Sequence, residues 1–233
     1  MNNTIVIDSR ASDDSVKTLS DLGYKLIYIP SNKCFDNPIC AHPDIFMTKI
    51  KDTWFVDRSV KELFIFCDDM YFCDRGTGDV TAIKYPNDCS FNCVSVGDSL
   101  ICNKNITHSE ILNFSEKNGM NIIHVNQGYT KCSTCKITEN AIITEDTNIH
   151  NAAMKNGIDS LLIEKGFVRL DGYNYGFIGG AAGLIENNLL AVNGNINKHP
   201  NSKEILEFCS KHKVKVLNLN QNQLYDIGSI LKL

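Results

Sequence analysis

The chain has 233 residues, 43% of them hydrophobic, which is enough apolar material for one large core or two small ones. A net charge of −4 leaves no basic face for nucleic acid or an anionic membrane, and no apolar run approaches the roughly 20 residues of a membrane helix. The start, Met1-Asn2-Asn3-Thr4, lacks the basic-then-apolar order of a secretory signal, so the expectation is a cytoplasmic protein with no DNA and no membrane partner.

About every 46 residues the chain repeats one phrase: polar turn, apolar strand, acidic or amide stop, helix, second apolar strand. The first copy runs from the strand Thr4-Ile5-Val6-Ile7-Asp8 through a helix from near Ser12 to Leu22-Gly23, then a strand over Leu26–Ile29. His42-Pro43-Asp44 then leads into an apolar strand, Ile45-Phe46-Met47. Thr53-Trp54-Phe55-Val56-Asp57 opens the second copy. After it, Arg58 to Cys67 has no clear helix stop, so the helix there is expected to be short or replaced, followed by a loop at Arg75-Gly76-Thr77-Gly78-Asp79.

The third copy begins at Ser99-Leu100-Ile101-Cys102-Asn103. Thr107-His108-Ser109-Glu110 reads as a capping box ahead of Ile111, Leu112 and Phe114, with a stop at Asn118-Gly119 and a strand at Ile122–Val125. The fourth pairs Ala141-Ile142-Ile143-Thr144-Glu145 with a helix from about Thr147 to Asn156-Gly157 and a strand at Leu161–Ile163. In the fifth, Leu189-Leu190-Ala191-Val192-Asn193 precedes a helix after Pro200-Asn201-Ser202, with Ile205, Leu206 and Cys209 on one face, then Val214–Leu219.

Hairpin turns join consecutive copies at Lys51-Asp52, Gly97-Asp98, Glu139-Asn140 and Glu186-Asn187-Asn188. The last strand, Ile227–Leu231, has no following partner, so the expected partner is Thr4–Asp8 at the other end, closing a ring and removing exposed edges. No low-complexity linker divides the chain. One domain over 1–233 is expected, with modules at about 1–47, 48–95, 96–138, 139–185 and 186–233.

Five such modules resemble the pentein fold, the guanidine-group-modifying-enzyme superfamily, a five-module α/β-propeller. Asp88-Cys89-Ser90-Phe91-Asn92-Cys93-Val94 is similar to the Asn-Cys segment of dimethylarginine hydrolases. Gly179-Gly180-Ala181-Ala182-Gly183-Leu184-Ile185, with Asn193-Gly194 and His199-Pro200, resembles a module of the non-enzymatic ribosome anti-association factor. Gln127-Gly128-Tyr129-Thr130-Lys131-Cys132-Ser133 and Tyr225-Asp226-Ile227-Gly228-Ser229 resemble an uncharacterised bacterial family of this fold.

The resemblance implies a pocket on the axis where loops and strand starts converge. Its candidate residues are His42, Asp44, Asn92, Cys132, Ser133, Tyr175, Gly179, Gly180 and Asp226. The superfamily's enzymes use a cysteine in the last inner segment and a histidine in an earlier one. Gln223 to Ser229 holds no cysteine and Gln127 to Lys131 no histidine, so the standard pair is missing; His124, slightly upstream, sits in a strand pattern. A displaced pair would use Cys132, with Lys131 beside it to lower the thiol pKa, and His42 as base, with Asp44 and Asp226 gripping a cation. The alternative makes Cys132 a packed residue and His42-Pro43-Asp44 a turn.

Among the ten cysteines, Cys102 and Cys209 fall in apolar patterns and are expected in the core. Cys132 and Cys135 would point to opposite faces of a strand, so no metal site and no cofactor is expected. The glycines at Gly179 and Gly180 enter a strand rather than a helix, unlike a phosphate loop. Three readings follow: a binder of a cationic guanidino- or amino-acid-like small molecule, an enzyme of guanidine or amidine C–N bonds, and a ribosome- or protein-binding factor. Oligomeric state is not legible.

Overall fold

The computed structural model describes residues 3–76 and 82–233, so Thr77, Gly78 and Asp79 of the expected loop lie outside the described residues. In chain order the elements are β1 (Thr4–Asp8), α1 (Asp13–Asp21), β2 (Lys25–Ile29), α2 (Pro43–Phe46), β3 (Met47–Ile50), β4 (Thr53–Asp57) and β5 (Met70–Cys73). These are followed by β6 (Val94–Val96), β7 (Ser99–Cys102), α3 (Ser109–Lys117), β8 (Asn121–His124), β9 (Thr134–Thr138) and β10 (Ala141–Thr144). The chain continues with α4 (Thr147–Lys155), β11 (Asp159–Leu162), β12 (Ala182–Glu186), β13 (Leu189–Val192), α5 (Ser202–Lys211), β14 (Lys215–Asn218) and β15 (Leu231–Lys232).

The strands form five separate three-stranded sheets, ordered β15-β1-β2, β3-β4-β5, β6-β7-β8, β9-β10-β11 and β12-β13-β14. Each has one plan: a central strand paired parallel with the strand after it and antiparallel with the strand before it, a place that β15 from the other end of the chain takes for β1. The central strands are almost wholly buried, which explains why they read as unbroken apolar runs rather than alternating ones. The turn residue that stops three of them works through its side chain. Asp8 accepts from Arg10 N, Asp57 from Ser59 N and Asn103 from Asn105 N, bending the chain toward the next element.

The long helices bury one stripe each: Leu19 and Ser15 in α1, Ile111 and Ser115 in α3, Ile149 and Ala153 in α4, and Ile205, Phe208 and Cys209 in α5. Leu206 is instead exposed, one position off that stripe, and Phe208 takes the place expected for it. The second module has a 3₁₀ helix at Arg58–Leu63 where the others have α-helix. Among the described residues no helix is long and apolar enough to cross a membrane.

Three boundaries differ from expectation. The cap of α3 is His108, whose Nδ1 accepts from Glu110 N, because Thr107 turns its hydroxyl back to Asn103 O. Ile45 and Phe46 belong to the single turn α2 rather than to a strand, since Pro43 sets a helical start after the extended His42. The terminal strand is short. Residues 227–229 form a turn whose Ile227 and Ser229 N–H groups both reach Gly180 O, and only Leu231 and Lys232 pair with Val6 and Ile5.

The first strands of successive sheets lie side by side: β3 by β6, β6 by β9, β9 by β12, and β12 by β15. The segment just before each of these strands therefore reaches a common place.

Candidate functional site

Each of the five segments contributes to one buried cluster. His42 and Asp44 precede β3, Asn92 precedes β6, Lys131 and Cys132 precede β9, Gly179 and Gly180 precede β12, and Asp226 and Ser229 precede β15. A narrow cavity of about 250 Å³ opens over them. His42, Cys132 and Asp226 form part of its wall, with Tyr129, Tyr175 and Phe177 around it.

Asp44 is the hub. Its Oδ2 accepts from Cys132 Sγ at 3.0 Å and from the Ser229 hydroxyl at 2.7 Å, while its Oδ1 is buried and has no hydrogen-bond partner among the described residues. Lys131 Nζ donates to Ser229 Oγ at 2.9 Å, so one chain of hydrogen bonds runs from Lys131 through Ser229 and Asp44 to Cys132. Asn92 holds the other side. Its Oδ1 accepts from Lys131 N and Cys132 N at 2.7 and 3.1 Å, and its Nδ2 lies 3.2 Å from both Asp44 O and Cys132 Sγ.

His42 stands between two carboxylates, with Nε2 3.8 Å from Asp8 Oδ2 and Nδ1 3.7 Å from Asp226 Oδ1. Asp8 is neutralised by Arg10, which grips it through Nε and a terminal nitrogen. Asp226 has no Lys or Arg within ion-pair distance among the described residues; it accepts from Phe177 N and Gly228 N, both at 2.9 Å. Burial raises its pKa, with Asp44 adding to the rise and His42 opposing it. Two glycines make this packing feasible. A Cβ at Gly180 would land on the Asp226 carboxylate, and one at Gly228 on His42.

The Cys132 thiol lies well above its ordinary pKa, first because it is buried and then because Asp44 and Asp226 are close. The expected lowering by Lys131 is not what the geometry gives, since that ammonium turns to Ser229 and Gly179 O. Ser133 is fully buried, its hydroxyl has no partner among the described residues, and it forms no part of the cavity wall. Tyr175 is on the wall, and Gly179 contributes its carbonyl to Ser229 and Lys131. Cys135 packs in the core near Cys209, away from Asp44. His124 sits exposed on β8, accepting from Lys104 N.

Sequence reasoning singled out Tyr175 but not Ser229, Asp8, Arg10 or the other aromatic wall residues, Tyr129 and Phe177. Ser229 had a signal of a kind: it follows Gly228, and both adopt positive φ, 75° and 67°, in a turn that throws the hydroxyl inward.

By sequence the chain matches none of the curated proteins. Its fold is similar to that of dimethylarginine dimethylaminohydrolase in adduct with S-methyl-L-thiocitrulline, at 9% identity and TM-score 0.57, covering 94% of this chain and 92% of that one. Inosamine-phosphate amidinotransferase of Streptomyces griseus aligns at 9% identity and TM-score 0.57, covering 99% and 93%. Agmatine deiminase of C. jejuni aligns at 13% identity and TM-score 0.53, covering 94% and 87%. All three have the pentein fold, and so does this chain. The model of the family of unknown function DUF6873 matches residues 6–231, and the chain belongs to that family.

Proposed function

We propose that the chain is a single pentein-like domain, its five modules arranged as one closed α/β-propeller, that binds a small cationic molecule bearing a guanidinium or amidinium group. The observation that carries the reading is Asp226: a buried carboxylate on the cavity wall, with no Lys or Arg to neutralise it among the described residues. A buried carboxylate whose neighbours are two backbone N–H groups and His42 is costly to ionise, and a planar cation donating hydrogen bonds to it would offset that cost. Tyr129, Tyr175 and Phe177 make the same wall aromatic, a surface chemistry that suits a guanidinium. The volume, about 250 Å³, suits a ligand head of few heavy atoms rather than a large cofactor.

A thermal-shift titration with methylguanidine, agmatine and L-arginine tests this against neutral urea and citrulline. A ligand at 100 times its dissociation constant adds about 2.7 kcal/mol of stability. The cations are expected to raise Tm in the wild type and not in Asp226→Asn. Equal silence from every cation, or an unchanged response in the variant, overturns the reading.

A second, catalytic reading has Cys132 attack the guanidine carbon with His42 as acid and base. What favours it is that both side chains form part of one cavity wall; what opposes it is the raised thiol pKa. Release of ammonia or amine from the same compounds, lost in Cys132→Ser, would establish it, and no release would end it.

A further inference from the structure

The first strands enclose a second, wider cavity of about 700 Å³ on the side toward the hairpin turns. Five lysines contribute to its wall: Lys49, Lys51, Lys131, Lys136 and Lys232. They come from three different modules, so the fold, not a local charge run, gathers them.

Three carboxylates also reach this wall, Asp52, Asp98 and Glu139, but acids and bases are arranged differently. In the pairs Lys136–Glu139 and Lys232–Glu186 the lysine side chains are 24% and 19% exposed, their acids 75% and 48%. Lys51 pairs with Asp98, which is 94% exposed. In each pair the acid is the more exposed partner, so its attraction is screened and easily exchanged.

Two of the five have no carboxylate within 4 Å among the described residues. Lys49 lies over the Trp54 ring at 5.7 Å, and Lys131 has only neutral oxygens, Ser229 Oγ and Gly179 O. Lys49 is exposed, whereas Lys131 is partly buried and its ammonium, served only by neutral acceptors, keeps its charge available to an anion in the space beside it.

We infer that the wide cavity binds a small multivalent oxyanion, a molecule carrying a phosphate or several carboxylates, with Lys131 as its inner anchor and Lys49, Lys136 and Lys232 around it. The volume is in the range of sites that enclose metabolite-sized ligands. The inference does not depend on what occupies the narrow cavity, whose residues are acidic and aromatic.

Isothermal titration with inorganic pyrophosphate and with citrate, at constant ionic strength set with sodium chloride, tests it. The two titrants separate phosphate from carboxylate chemistry. Saturable binding of about one anion per chain is expected for at least one of them, weakened at least tenfold in Lys131→Met and severalfold in Lys49→Gln. Lys131→Met also removes an internal hydrogen bond. Should it fail to fold, the double variant Lys49→Gln with Lys136→Gln decides, because both side chains stand on the wall away from Asp44. Heats no greater than those of chloride, or undiminished affinity in the variants that fold, overturn the inference.

Discussion

The thiol of Cys132 donates to Oδ2 of Asp44, 3.0 Å away, in a pocket formed 88 residues apart in sequence. A thiol that donates to a carboxylate is a protonated thiol, so its reactivity at neutral pH is that of a buried SH group rather than a thiolate. In iodoacetamide labelling followed by mass mapping, Cys132 should react far more slowly than the half-exposed Cys34, and Asp44→Asn should accelerate it. Faster reaction at Cys132 than at Cys34 in the wild type would contradict this account.

Gly180 tests the position of Asp226 without touching its charge. A methyl at Gly180 occupies the space of the carboxylate, so Gly180→Ala must displace Asp226 or shift the strand start. Overpacking of this sort costs about 2 kcal/mol. The response to guanidino cations should vanish along with the fall in Tm; retention of both would mean that the local packing is looser than described.

Glu145 gives a pH prediction. Burial raises its pKa well above the ordinary value, against hydrogen bonding from Ile178 N. A carboxyl with a folded pKa above its unfolded one stabilises the fold fully below the unfolded value of about 4.3, and that contribution is lost as pH rises through the folded pKa. Glu145→Gln keeps an acceptor for Ile178 N and cannot ionise. Its Tm advantage over the wild type should therefore grow from pH 5 to pH 8, and a constant difference across that range would rule the mechanism out.

Arg75 is the main buried cation outside the site. Its guanidinium pairs with Asp57 at 2.7 Å, reaches Ile45 O, Asn87 O, Asp88 O and Ser90 Oγ, and lies about 5 Å from the rings of Phe35 and Phe91. Removing one partner of a buried pair costs about 3–5 kcal/mol. Arg75→Met should lose that much in urea unfolding, and adding Asp57→Asn should recover part of it. A loss below about 1 kcal/mol would show the pair to be replaceable.

Much of the fold was legible because the central strands, buried on both faces, leave nearly unbroken apolar runs, and because acids such as Asp8 and Asp57 end them in side-chain turns. The misreadings have local causes. Thr107 had the right chemistry for a cap but spends its hydroxyl on Asn103 O, and Pro43 turned Ile45 and Phe46 into a helical turn. Gathering His42, Asp44, Cys132 and Asp226 into one cluster rested on the repeat pattern and the family resemblance. Their partners were harder to see: Ser229 meets Asp44 across 185 residues, and no spacing rule links a turn hydroxyl to so distant a carboxylate.

The hydrogen-bonded chain from Lys131 through Ser229 and Asp44 to Cys132 joins a wall residue of the wide cavity to a wall residue of the narrow one. An anion that draws the Lys131 ammonium toward itself takes a donor from Ser229 and changes how firmly Asp44 holds its negative charge. A cation settling near Asp44 and Asp226 pulls on the same bonds from the other side. Linkage requires the exchange to be equal in both directions, so whatever affinity one occupant lends the other is returned in full.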